Sequence, residues 1–123
     1  MKRDPSAYLW DMQQACLAIS GFVTGVDFPH YQSNLLLRSA VERKLQNIGE
    51  ALSQLSRLQP DVAARVPQHR QLIAFRNVLV HGYAGLNDDE VWRVLHKNLP
   101  KLLIAVTALL AELGGPGQSI EPS

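Results

Sequence analysis

Four residues near the middle of the chain have side chains suited to phosphate chemistry. They are Arg76, Asn77, His81 and Tyr83, within the stretch RQLIAFRNVLVHGY from Arg70 to Tyr83. An arginine offers a planar fork of donors that grips a phosphate and stabilises charge building on its oxygens. A histidine five residues later titrates near neutral pH and can take a proton from a ribose 2′-hydroxyl. Such a pair suits cleavage of RNA by internal attack, which leaves a cyclic phosphate and a free 5′-hydroxyl. DNA lacks the attacking group. The route requires neither a metal nor a cofactor.

Spacing alone leaves plainer readings open. His81 is equally a helix-terminal cap, Asn77 a surface polar residue, and Tyr83 a packing residue or hydroxyl tether. An Arg and a His five residues apart also arise readily by chance. On the residues alone, the chain is a helical domain with a candidate phosphate site. The geometry is awkward too. On a regular helix Arg76 and Tyr83 fall close to one azimuth, whereas His81 lies about 140° from Arg76. Either the helix changes course near Gly82, or a second helix end completes the site, and a twofold homodimer supplies one.

The elements that must position these residues are helical. Leu9, Met12, Cys16, Ile19 and Val23 recur at helical intervals and predict a first helix from about Pro5 to Val23. Asp27-Phe28-Pro29 reads as a break. Leu37, Val41, Leu45, Ile48, Leu52 and Leu55 predict a long second helix from about Ser33 to Arg57. Gly49 interrupts it at a cost of about 1 kcal/mol relative to Ala, which suggests close approach by a neighbouring backbone. A short turn follows from Pro60 to about Arg65. A third helix runs from about Gln68 to His81, with Leu72, Phe75 and Leu79 as its core stripe and Gly82 placed to end it. Asn87 and Glu90 have capping-box spacing. Val91, Leu95, Leu99, Leu102, Val106, Leu110 and Leu113 mark a fourth helical region, which Pro100 kinks or divides. The expected fold is all-α, an antiparallel bundle of four to five helices spanning residues 1–113, with a flexible tail over 114–123.

The whole chain agrees with this. Its 123 residues fit one domain, and 46% hydrophobic content is ordinary for a globular protein. The net charge of +1 says little about nucleic acid, so any RNA-binding surface depends on local placement of basic groups. Arg43, His69 and Arg70 are candidates, and Arg38 and Lys44 are weaker ones. Glu50, beside Gly49, is a candidate to contact an arginine across the bundle, with an ordinary salt bridge or an exposed position equally open. The single cysteine, Cys16, sits among apolar residues and reads as buried. Trp10 and Trp92 read as core or interface anchors. No apolar run reaches transmembrane length, and Asp4-Pro5 follows Lys2-Arg3 where a signal segment would be apolar, so a cytoplasmic protein is expected.

RNVLVHGY resembles the Arg-x4-His-x-Tyr signature of the HepT-like branch of HEPN ribonuclease toxins. RKLQNIGEAL (43–52) is similar to that family's second-helix segment. PDVAARVPQHRQLIAFRNVLVHGY (60–83) is similar to the approach to its catalytic helix, and DEVWRVLHKNLPKL (89–102) to the helix after it. The resemblance implies an all-α bundle of HEPN type and a homodimer whose two motifs face a shared cleft. It implies a toxin that cleaves RNA with Arg76 and His81 as catalytic residues and Asn77 in support. It further implies a minimal nucleotidyltransferase antitoxin (MntA-like) that transfers AMP to Tyr83. AMP there would add bulk and negative charge on the Arg76 side of the helix. One departure is visible: Val66 stands where the family often has Trp. The competing roles are a non-catalytic helical protein that binds RNA or nucleotide, and an accessory subunit of a nucleotidyltransferase.

Overall fold

Short polar side chains set where the helices begin. The structure, a computed structural model, describes residues 4–81 and 87–114. Among these the chain forms α1 (Pro5–Val23), α2 (Phe28–Ser33), α3 (Leu35–Leu58), α4 (Pro60–Ala63), α5 (His69–His81), α6 (Asp88–Lys97) and α7 (Leu99–Leu113), and no strand. Asp4 accepts from the Ser6 amide at 3.2 Å and opens α1. Asn34 accepts from the Leu37 amide at 3.0 Å and opens α3 at Leu35, slightly later than expected. Asn87 accepts from the Glu90 amide at 2.8 Å and opens α6. The Glu90 carboxylate lies 3.7 Å from Arg93, on the next turn.

The break after α1 falls over residues 24–27, and Phe28 and Pro29, expected to belong to it, already lie in a short helix. Asp27 accepts from the His30 amide at 3.0 Å, and Pro29 lies in the first turn of α2. A proline there lacks only a donor that would be unpaired anyway, and its fixed φ suits a helix start. The turn after Pro60 ends at Ala63, shorter than expected. Pro100 divides the last helical region as anticipated: α6 and α7 meet at 43°, with Pro100 in the first turn of α7.

α3 is the central element. Val41, Leu45, Ile48, Leu52 and Leu55 are buried along it. It packs against α1 through the face carrying Leu9, Met12, Cys16 and Ile19, and against α5 through Leu72 and Leu79. α1 packs in turn on α7, where Gln13 donates to the Thr107 hydroxyl at 3.2 Å. Each large apolar side chain buried here contributes about 1.5–3 kcal/mol. The connection through α4 is short, so α3 and α5 run antiparallel.

Trp92 is an anchor, as expected. Its ring centroid lies 5.0 Å from that of Tyr31, 5.9 Å from Phe28 and 4.4 Å from His96, which ties α6 to α2. Trp10 is 46% exposed and stands outside the core. Leu113 is exposed too, so the apolar stripe of α7 is buried only as far as Leu110. Cys16 is buried, and burial pushes its thiol up to about 12, which keeps it from acting as a nucleophile. No described helix is by itself long and apolar enough to cross a membrane. Residues 115–123, most of the expected tail, lie outside the described residues.

Candidate active site

Helix α5 carries the candidate chemistry, and its buried face fixes where that chemistry points. Leu72 and Leu79 are buried, with Ile73 and Phe75 half-buried beside them. This clamps α5 onto α3 and turns Arg76 toward Gly49. A Cβ added at Gly49 would run into Arg76 Cβ, and would lie 2.8 Å from its Cγ and 3.2 Å from the Leu72 carbonyl oxygen. The helices cross at this point, and only a glycine leaves room for the arginine stem. The close approach inferred from an isolated glycine is therefore made by α5, at Arg76 itself.

The Arg76 guanidinium is held at both terminal nitrogens. Nη2 pairs with Glu50 Oε1 across the helix seam at 2.7 Å, and Nη1 donates to Asn77 Oδ1 at 2.9 Å. Glu50 Oε2 accepts from Gln54 Nε2 at 2.9 Å, one turn along α3. Nε is buried and has no acceptor among the described residues. The side chain stays 30% exposed, so a ligand can reach its terminal edge. A pair this open to solvent adds little to stability.

His81 is the last residue of α5 and is exposed. It stands five positions after Arg76, about 7.5 Å along the axis and about 140° around it. The helix is regular through His81, so the awkward phasing seen in the sequence persists in a single chain.

The other candidates divide by position. Arg43 is exposed on α3 one heptad before Glu50, and therefore on the same face of that helix. Because α3 and α5 are antiparallel, Arg43 lies toward the His81 end of the seam. His69 and Arg70 are at the opposite end of α5. His69 is half-buried and shares the azimuth of Arg76, about 10.5 Å earlier along the axis. Arg70 is exposed on a different face. Gly82 and Tyr83 lie outside the described residues.

Two contacts could not be assigned from the sequence. One is the choice of Arg76 as the partner of Glu50; the other is the Gln54 brace behind it. The only advance signal was Gly49-Glu50 inside an otherwise regular apolar helix. A groove of about 650 Å³ between α1 and α3, lined by Asp11, Gln14, Lys44 and Asn47 among others, runs past Glu50. A separate pocket of about 460 Å³ between the end of α1 and the α6–α7 bend holds none of the Arg76 cluster. Among the described residues, no group of three His, Cys, Asp or Glu side chains is placed to hold a metal.

The family model described as "Ribonuclease HepT-like" matches residues 12–109. The chain belongs to the HepT-like family. The match takes in α3, α5, α6 and most of α7, and so the whole Arg76 cluster. Relatives in the family include a protein of Methanocaldococcus jannaschii named as a candidate RNase, 29% identical over 82% of this chain and 92% of its own length. Another so named, from Caldanaerobacter subterraneus, is 29% identical over 88% and 96%. A protein of Thermococcus cleftensis named as a probable ribonuclease HepT is 28% identical over 83% and 92%. No solved structure matches the chain.

Proposed function

We propose that this HepT-like chain is a metal-independent endoribonuclease that acts as the toxin of a toxin–antitoxin pair in the cytoplasm. One observation carries the reading. Arg76 is pinned over Gly49 with its terminal edge open, and exposed His81 closes the same helix. The family match and the names of its relatives support RNA as the substrate.

In this mechanism the guanidinium of Arg76 holds the scissile phosphate, and an imidazole nitrogen of His81 takes the proton of the adjacent ribose 2′-hydroxyl. The 2′-oxygen attacks phosphorus, the bond from phosphorus to the 5′-oxygen breaks, and that oxygen gains a proton. The products are a 2′,3′-cyclic phosphate and a 5′-hydroxyl. Arg76 stabilises the charge that builds on the phosphoryl oxygens during attack. Asn77 supports it by accepting from Nη1. Arg43, His69 and Arg70 extend the RNA-binding surface.

The 140° offset between Arg76 and His81 favours a homodimer, in which each copy brings its α5 end to a shared cleft. Two histidines can then divide the base and acid roles. Tyr83 is the control point: a minimal nucleotidyltransferase antitoxin transfers AMP to its hydroxyl, adding bulk and negative charge where RNA phosphate binds. The test of the chemistry is a labelled RNA carrying one 2′-deoxy sugar at a mapped cleavage site. Cleavage stops at that position and continues elsewhere. Uninterrupted cleavage there would contradict internal attack.

A further inference from the structure

We propose that Glu50 is the positioning residue of the site, setting the direction of the Arg76 guanidinium from the neighbouring helix. The proposal rests on the reading of Arg76 as the phosphate-binding group. A guanidinium has five N–H donors. Nε of Arg76 is buried, which closes that edge to a substrate. A phosphate must therefore use Nη1 and Nη2, and these are the two nitrogens already held. Asn77 holds Nη1, but it is the next residue of the same helix and moves with it. Glu50 is the tie to a second element, at 2.7 Å from Nη2. Its other oxygen is engaged by Gln54, so the carboxylate is itself fixed. The stem of Arg76 is trapped over Gly49. One arginine is thus constrained at its stem and at both ends of its fork, with one N–H on each terminal nitrogen left for the substrate.

The carboxylate also has a cost for binding, because it lowers the positive charge that RNA meets. The two effects separate by variant. Glu50→Gln keeps an oxygen for Nη2 while removing the charge, and its new amide N–H donates to Gln54 once the Gln54 amide turns over to present its oxygen. Its kcat falls less than threefold and its KM for RNA falls. Glu50→Ala removes the tie, and kcat falls about 10- to 100-fold, the scale of a misplaced reacting group. Gln54→Ala loosens the carboxylate and gives a smaller loss in kcat of the same kind.

The closing experiment pairs cleavage kinetics with NMR of the Arg76 guanidinium at low temperature. In the wild type and in Glu50→Gln the Nη hydrogens give separate, restrained signals; in Glu50→Ala they average together. Wild-type kcat with restrained signals in Glu50→Ala would overturn the proposal. So would higher kcat and tighter RNA binding in Glu50→Ala, which would make Glu50 a blocking group. If Glu50→Ala does not fold, Gln54→Ala decides: kcat and signals both unchanged would overturn the proposal. If the wild type cuts no RNA but its signals still collapse in Glu50→Ala, the ribonuclease reading fails and the positioning of Arg76 stands.

Discussion

Gly49 lies directly beneath Arg76, so close that any β-carbon at position 49 would collide with the arginine stem. Helix α3 gives up a side chain here to let α5 bring its phosphate-binding candidate against the backbone. Fold and site meet at this crossing.

Adding a methyl group at that crossing is expected to destabilise the protein. Helix propensity favours Gly49→Ala by about 1 kcal/mol, while overpacking costs about 1–3 kcal/mol, leaving a net loss of up to about 2 kcal/mol. Gly21 in α1 is the matched control, because nothing lies within 4 Å of a Cβ there. Gly21→Ala should stabilise by about 0.5–1 kcal/mol. Urea unfolding of the two variants beside wild type checks both signs. Equal shifts in the same direction would mean that the α3–α5 crossing is looser than described.

The long elements could be read from the sequence because their apolar stripes repeat over many turns. α1 and α3 follow this rule, and α5 follows it through Leu72 and Leu79. α2 is harder to read because six residues are too few to show a stripe; its signals are a cap, Asp27, and a proline in the first turn. Trp10 lies on the outer face of α1, so of the two anchoring roles its residue type suggests, the core one is excluded. In the site, Arg76 stood out by its chemistry and Gly49 by its oddity within a helix. Their meeting, and the capture of Arg76 by Glu50, depend on the register between two helices far apart in sequence, which no local pattern encodes.

Stability should depend on pH through Glu42. Burial, and then the nearby Asp88 carboxylate, raise its pKa above the usual value, and Arg38 opposes them. A carboxyl with a raised folded pKa binds its proton more tightly when folded. Its charged form therefore destabilises the fold above the folded pKa, and the penalty disappears below the unfolded one. Glu42→Gln should unfold at higher denaturant than wild type at pH 7, and the advantage should vanish below about pH 4, under the ordinary Glu value. An advantage that is constant across this range would assign the effect to packing.

The proposed role of Tyr83 as an AMP acceptor has a chemical test. After incubation with the cognate nucleotidyltransferase and ATP, intact-mass analysis should show added AMP on wild type and none on Tyr83→Phe. The modified protein should bind RNA more weakly and cut it more slowly. The same mass gained at the same yield by Tyr83→Phe would place the acceptor elsewhere.

The central claim is that Arg76 and His81 together cut RNA. The most direct measurement compares wild type, Arg76→Ala and His81→Ala on end-labelled RNA in EDTA, with circular dichroism to confirm that each variant is folded. Wild type should cleave without added metal, and each variant should lose at least about 100-fold in rate, in line with the loss of a general base or a charge-stabilising donor. A folded His81→Ala protein that cleaves as fast as wild type would contradict the account.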